Sequence, residues 1–351
     1  MAIIGKTDLD VFRLGLGGIP FMNLSFHQAC EVISAAVDGG INFADTAEGY
    51  GDSEEKLGFA LKPKRDQFII ATKSPTTDGQ AMRKAIDQSL ARLGTDYIDI
   101  YQIQTLTSLP AVLAPSGALE ALQDAKRAGK IRYIGVTGHR ASVLVDAIKT
   151  GQFDTVQAPI NIVDRESEQE LLPLAKELGL GVLGMKPICG GTLDNPVLGL
   201  KFCLNSIADV IFCGMKSVAE VEENLATVNS FKPLTALEED ELLAEASQLG
   251  KQFCRRCEYC LPCPEGLIIP KILWLANYKH RYPEREIWTE DEYVYLDKLA
   301  TDCLECGECE EKCPYDLPIR QMLRDAHVEL SPTPKQVMKR RFNKVVRRFR
   351  G

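Results

Sequence analysis

No stretch of this 351-residue sequence approaches the ~20 consecutive apolar residues of a membrane span, because charge or glycine breaks every long apolar run within a few positions. The chain is therefore expected to be globular. No charged segment followed by an apolar run opens it, so the sequence is expected in the reducing cytoplasm, where disulfides do not persist. Positive charge strongly outweighs negative in one place only. The net charge is −8, yet residues 331–351 carry eight Lys or Arg and no acid, which leaves −16 on everything before them. Such a body excludes nucleic-acid binding through its general field and leaves any anionic partner to the tail. Histidine is also sparse, with four residues, at 27, 139, 280 and 327.

Cysteine, by contrast, is abundant and patterned. Cys254-x-x-Cys257-x-x-Cys260-x-x-Cys263-Pro264 and Cys303-x-x-Cys306-x-x-Cys309-x-x-x-Cys313-Pro314 have the spacing and trailing proline of bacterial iron-sulfur ligation. Each triplet can turn three soft thiolates toward one 4Fe-4S cluster while the distant fourth cysteine closes the other. That places Cys254, Cys257, Cys260 and Cys313 on one cluster, and Cys303, Cys306, Cys309 and Cys263 on a second. The first run has two residues rather than three before its fourth cysteine, which loosens the assignment of Cys263. Zinc also uses paired Cys-x-x-Cys ligands, but not normally an unbroken triplet plus Cys-Pro twice. Cys30, Cys189, Cys203 and Cys213 lie in apolar stretches and read as buried thiols.

Between residue 11 and about residue 228, short β-branched or apolar runs alternate with stretches of helical period. Strands are expected at residues 11–17, 41–45, 68–72, 98–102, 131–136, 155–159, 181–185 and 210–213. Helices are expected at 27–38, 53–61, 80–93, 117–128, 141–150, 168–177, 196–204 and 218–228. Eight such pairs suit a closed (β/α)8 barrel. An open doubly wound sheet would suit the alternation too, but Leu14-Gly15-Leu16-Gly17-Gly18 runs into Ile19-Pro20, not into a Gly-x-Gly-x-x-Gly helix start. The expected units are a barrel at 1–232, a mainly helical ferredoxin-like cluster domain at 233–330 and a basic tail at 331–351.

A barrel places its chemistry just past the C-terminal ends of its strands. There stand Asp45 and Tyr50 after the second strand, Lys73 after the third, Gln104 after the fourth, Thr137 and His139 after the fifth, Gln157 and Asn161 at the sixth, Lys186 at the seventh and Gly214 at the eighth. A cationic Lys73 beside Tyr50 would lower the phenol from its unperturbed ~10 toward working pH, with Asp45 holding the lysine charged. Each of these residues read singly is a solvated rim residue or a loop cap; their joint placement argues for a site.

The segment Asp45-Thr46-Ala47-Glu48-Gly49-Tyr50-Gly51-Asp52-Ser53-Glu54, with Ala71-Thr72-Lys73, Gly135-Val136-Thr137-Gly138-His139, Gly184-Met185-Lys186-Pro187 and Gly214-Met215-Lys216-Ser217 through Glu223-Asn224, resembles the aldo-keto reductases. More narrowly it resembles their branch with a C-terminal ferredoxin-type domain. The resemblance covers about residues 1–325. It implies NADPH as hydride donor, a small carbonyl or alcohol as substrate, and Asp45, Tyr50 and Lys73 in three of four tetrad positions. It also implies cofactor contacts from Thr137, His139, Gln157, Asn161, Lys186, Gly214, Lys216, Ser217, Glu223 and Asn224. Three positions depart from the family. Aligning Asp99-Ile100-Tyr101-Gln102-Ile103-Gln104 with the family's fourth strand puts Gln104 where a histidine is expected; its amide can donate a hydrogen bond but cannot relay a proton. Ile160 stands where an aromatic often stacks on nicotinamide, and Glu222 near a position where some members carry a base for the 2'-phosphate.

Nicotinamide passes two electrons together and a cluster one at a time, and no flavin motif is present in the sequence to join them. The clusters are thus expected to be a conduit or a staple for a small core. Asp302, Glu305, Glu308, Glu310, Glu311 and Asp316 around the second run, against Lys312, predict an acidic face that lowers a cluster's potential and meets a basic electron-transfer protein. In the tail, Met338, Phe342, Val345, Val346 and Phe349 fall on one helical stripe among basic residues, suited to an anionic membrane surface, an acidic protein or the acidic body itself. The resemblance therefore implies an NADPH-dependent oxidoreductase that reduces a carbonyl or runs the reverse alcohol oxidation. The alternative is an iron-sulfur electron-transfer module whose barrel has lost that reaction through Gln104.

Overall fold

The computed structural model describes residues 1–106, 109–249, 253–254, 260–281, 286–313 and 317–332. Cys257, the residues Pro314, Tyr315 and Asp316, and the amphipathic stripe expected at 335–350 lie outside the described residues. The chain divides into two compact units, Met1–Ala246 and Ser247–Gly351. Among the described residues no helix is long and apolar enough to cross a membrane.

The first unit begins with an antiparallel hairpin of β1 (Ala2–Ile3) and β2 (Asp10–Val11). Eight parallel strands then close a barrel: β3 (Leu14–Gly17), β4 (Phe43–Asp45), β5 (Ile69–Ser74), β6 (Ile98–Ile103), β7 (Ile131–Thr137), β8 (Thr155–Pro159), β9 (Gly181–Met185) and β10 (Val210–Gly214), with β10 returning to pair with β3. The helices between and after the strands are α1 (Phe26–Asp38), α2 (Ser53–Leu61), α3 (Gly79–Leu93), α4 (Leu109–Leu113), α5 (Ala118–Arg127), α6 (Ala141–Lys149), α7 (Glu166–Gln169), α8 (Leu171–Leu178), α9 (Pro196–Leu204), α10 (Val218–Asn229) and α11 (Ala236–Leu249). Side-chain oxygens start several of them, as Ser25 does in a capping box with Gln28 for α1 and Asp78 does for α3.

The period-2 alternation of the strands separates two cores. Leu14, Leu16, Ala44, Ile70, Tyr101, Ile103 and Val156 face the helices, whereas Phe43, Ile69, Ala71, Ile100, Leu183, Val210 and Phe212 fill the barrel's lower interior. Ile4, Leu9 and Val11 of the hairpin join that interior layer and seal it. The Phe43 and Phe212 rings meet edge to face at 4.7 Å, and Gly15 leaves the room, since a Cβ there would lie 2.4 Å from the Phe212 ring. One pleat higher the same strand faces turn polar: Asp45 follows Phe43, Lys73 follows Ala71 and Gln102 follows Ile100.

The expected elements are present with local differences. The run at 11–17 is split, because Val11 pairs in the hairpin and only Leu14–Gly17 enters the barrel. Glu170, at φ −130° and ψ −47°, divides the helix expected at 168–177 into α7 and α8. The first unit reaches beyond the junction expected near 232, since α11 is tied to α9 by the Lys201–Glu238 ion pair at 2.5 Å and buries Leu242.

The second unit contains α12 (Ile269–Arg281), α13 (Glu286–Val294), a 3-10 turn at Ala300–Asp302, α14 (Glu308–Glu311) and α15 (Ile319–Leu330). Its apolar core of Leu267, Ile272, Leu275, Tyr293, Leu317, Leu323 and Leu330 includes Cys260 and Cys309. The buried Tyr293 hydroxyl bonds His327 Nδ1 at 2.7 Å and accepts the Ala300 N–H at 3.0 Å.

Candidate functional site

At the C-terminal rim of the barrel, Lys73 Nζ donates to Asp45 Oδ2 at 2.6 Å and to Thr46 O at 2.7 Å, and lies 5.2 Å from the centre of the Tyr50 ring. Lys73 and Asp45 are buried, at 2% and 7% exposure; Tyr50 is half-buried. The loop bearing Tyr50 is fixed on both sides. Thr46 and Glu48 donate their N–H groups to Ala71 O and Lys73 O, and Ser53 Oγ joins Thr46 Oγ1 to Gly18 O. The helix that follows is anchored by the buried Glu54, which accepts from Thr72 Oγ1 and Arg92 Nη1, each at 2.7 Å. Lys56, 2% exposed, donates to Phe21 O, Leu24 O and Asp52 Oδ1.

Sequence reasoning passed over the residue that completes this network. Gln102 is fully buried, and its Nε2 donates to Asp45 Oδ1 at 3.0 Å and to Gln157 Oε1 at 3.2 Å. A carboxylate only accepts, so Gln102 must offer its amino group to Asp45, and Gln157 must then turn its carbonyl to Gln102. The Gln157 amino group is left buried without a partner among the described residues. The signal was in the alternation, which puts Gln102 on the same inward face as Ile100. Gln104 comes two residues on, just past β6; it is half-buried, and its backbone N–H donates to Ser74 O at 2.9 Å.

Across the rim, Thr137 ends β7, and Lys186, at φ +60°, follows β9. Lys186 Nζ bonds His139 Nε2 at 2.9 Å. Burial, and after it the Lys186 charge, holds His139 well below the ordinary imidazole value, so the ring is neutral. With Nε2 accepting, Nδ1 bears the proton, and it is buried without a partner among the described residues. Asn161 is largely used by its own loop, with Oδ1 accepting from Val163 and Asp164 N–H and Nδ2 donating to Lys186 O. Gly214 ends β10 against Pro20, and Ser217 caps α10 by accepting the Glu220 N–H. Lys216 donates its backbone N–H to Glu220 Oε2. Glu223 is exposed, whereas Asn224 turns inward and donates to Cys213 Sγ at 3.6 Å, so these two neighbours do not converge. Ile160 is buried in the helix-facing core. The unpaired Gln157 and His139 donors, with the amines of Lys186 and Lys216, are a donor set suited to an anionic dinucleotide bearing a carboxamide.

In the second unit, Cys260, Cys263, Cys303, Cys306 and Cys309 line one cavity of about 110 Å³, walled by Pro262, Leu267, Ile269 and Leu323. Cys254 and Cys313 are half-buried and do not line it. Thiol sulfurs around an apolar hollow suit an iron-sulfur cluster. Gly307, at φ +86°, supplies the turn between Cys306 and Cys309. Part of the acidic face expected is paired: Glu305 with Arg324 and Glu310 with Arg320, both arginines from α15, and Glu308 with Lys312. Of the four remaining cysteines, Cys189, Cys203 and Cys213 are buried and Cys30 half-buried; burial pushes Cys213 up to about 12.

The sequence matches the model of the Aldo/keto reductase family over residues 13–202 and that of the 4Fe-4S dicluster domain over residues 253–318. It is 35% identical over 211 residues to the aldo-keto reductase YhdN of Bacillus subtilis, covering 55% of this chain and 63% of that protein, so the match spans less than two thirds of that relative. It is 30% identical over 284 residues to L-galactose dehydrogenase of Arabidopsis thaliana, covering 66% of this chain and 88% of that one. Among solved structures, the holo form of aldo-keto reductase AKR11C1 from Bacillus halodurans superposes with a TM-score of 0.61 at 27% identity, over 69% of this chain and 94% of that one. With a closed eight-stranded barrel, a family match over more than half its length and a dicluster segment after the barrel, the chain belongs to the aldo/keto reductase family, an oxidoreductase family, in a form that carries a C-terminal 4Fe-4S domain.

Proposed function

We propose that the chain is an NADP(H)-dependent oxidoreductase that reduces a small-molecule carbonyl, or oxidises the matching alcohol, at the C-terminal rim of its barrel. The observation that carries this reading is the buried Lys73–Asp45 pair beside the Tyr50 ring. Tyr50 acts as general acid, giving its hydroxyl proton to the carbonyl oxygen, or as general base in the reverse direction. Lys73 stabilises the phenolate that remains, and Asp45 keeps the lysine charged and oriented. Gln104 donates an amide hydrogen bond to the substrate oxygen; it polarises the carbonyl without relaying a proton. When bound, the nicotinamide supplies the hydride. Gln157 and His139 hold its carboxamide side through their unpaired donors, with Thr137, Asn161 and Gly214 shaping the rim. Lys186, Lys216 and Ser217 would serve its phosphates and the exposed Glu223 its adenosine end, while Asn224, turned inward to Cys213, would support the strand end beneath them. The loops at 105–115 and 188–196 set which carbonyl enters.

The second unit is proposed to hold two 4Fe-4S clusters, one on Cys254, Cys257, Cys260 and Cys313, the other on Cys303, Cys306, Cys309 and Cys263. Cys263 shares a cavity with Cys303, Cys306 and Cys309, as the second set requires, and Cys260 of the first set lines the same cavity. A reading in which the clusters exchange electrons with another protein is favoured by exposure at the cavity: Cys306 is exposed and Leu304 is 70% exposed.

Anaerobic reconstitution followed by stoichiometric NADPH titration tests both readings. Nicotinamide binding with the clusters remaining oxidised, and carbonyl reduction lost in Tyr50→Phe, is the expected result. Absence of NADPH binding would overturn the reductase reading and leave the electron-transfer module.

A further inference from the structure

Resting on the cluster reading above, we infer that Arg320 sets the reduction potential of the cluster held by Cys263, Cys303, Cys306 and Cys309, as a positive charge clamped against their loop. Arg320 is the one base among the described residues lining that cavity. It reaches it from α15, ten and more residues beyond the cysteines it serves. Its guanidinium is not a loose surface group. Nε and Nη2 donate to Glu310 Oε2 at 3.0 and 2.8 Å, the Arg320 N–H donates to Glu310 Oε1 at 2.8 Å, and Nη1 donates to Glu305 O at 3.3 Å. Glu310 directly follows Cys309, and Glu305 directly precedes Cys306. One side chain therefore grips the ligand loop on both sides of its middle cysteine.

The loop is shaped for this grip. Glu305 is held at φ +54°, a left-handed conformation that a non-glycine residue rarely adopts, and it presents its carbonyl to Arg320. Gly307 lies beside the guanidinium, where a Cβ would meet Arg320 Cζ in ordinary contact at 3.9 Å, so it is the backbone angle of φ +86° that favours glycine there. Arg324, one turn on, holds the Glu305 carboxylate.

Reduction adds one electron, hence one negative charge, to a cluster already negative through its thiolates. A fixed cation at the wall favours that step, and its loss disfavours it. Glu265 and Glu308 also line the cavity and act in the opposite sense, Glu308 with its charge offset by Lys312. Glu310 is not part of the wall, so the pair presents its positive end to the cavity.

The test uses the full chain, reconstituted anaerobically with iron and sulfide, and a dithionite redox titration followed by EPR. Iron and acid-labile sulfide are measured for each variant. Arg320→Gln is expected to move one cluster potential to more negative values and leave the other in place. Glu310→Gln, which keeps the arginine and removes its counter-charge, is expected to move the same potential the other way. Arg320→Lys restores much of the wild-type value. Potentials unchanged in both Arg320→Gln and Glu310→Gln, at wild-type iron content, would overturn the inference while leaving the cluster reading intact. If Arg320→Gln fails to assemble, the Glu310→Gln shift alone decides. Wild-type protein that takes up no 4Fe-4S cluster removes both.

Discussion

Gln102 and Lys73 approach Asp45 from two sides, the amide at Oδ1 and the ammonium at Oδ2, so the carboxylate has no freedom to turn. Replacing Gln102 by leucine strips one oxygen of Asp45 and one of Gln157 of their donor inside the barrel. Orphaned buried acceptors cost about 1–3 kcal/mol each. Thermal denaturation of Gln102→Leu is expected to show a loss of about 2–6 kcal/mol for the two acceptors together, and Gln102→Glu a larger one, since it sets a second carboxylate against Asp45.

Tyr50→Phe removes the proposed proton donor and little packing. Carbonyl reduction is expected to fall about 10²–10⁴-fold, with nicotinamide affinity kept, as read by fluorescence quenching against turnover. Lys73→Met differs in kind. It leaves Asp45 charged and buried with only Gln102, so stability drops by about 3–5 kcal/mol as well. A Lys73→Met protein as stable as wild type would refute the buried pair.

Gly58 lies where α2 crosses the end of α3. A Cβ at that position would stand 2.2 Å from Leu93 O, a backbone atom that cannot swing aside. Gly58→Ala is expected to destabilise the barrel by about 1–3 kcal/mol through forced separation of the two helices, seen as a lower urea midpoint with an unchanged slope.

His139 gives the barrel a pH dependence. Its folded value lies below the ordinary ~6.5, so the unfolded chain binds the proton more readily. Stability from this group is complete above pH ~6.5 and is lost as pH falls below that toward the folded value. The difference in melting temperature between wild type and His139→Asn is expected to be flat from pH ~7 upward and to shrink below it. A difference independent of pH from 5 to 8 would show that the ring is not held neutral.

The barrel was legible because each strand carries its alternation within itself; the runs at 155–159 and 181–185 coincide with β8 and β9. Asp45, Tyr50 and Lys73 were legible because strand ends must converge, and the structure brings them together. Gln102 was not, since an amide inside a strand carries no mark of its partner until the register sets it beside Lys73. The hairpin escaped for a related reason: two-residue strands have no period to detect. Around the second cysteine run the acidic residues were legible but their pairing was not, because α15 brings Arg320 to Glu310 and Arg324 to Glu305.

The N-terminal hairpin has a consequence for how the molecule comes together. Gly5 N–H donates to Asp209, 204 residues away, and Lys6 N–H to Gly179 O, so the first strands made bond to the last third of the barrel. A contact of that separation forms late, after nearly the whole barrel sequence has left the ribosome, and it is entropically dear to close. Until then Phe43, Ile100 and Phe212 have an open floor beneath them. Docking of the hairpin is therefore expected among the last steps of folding, alongside closure of the barrel by β10.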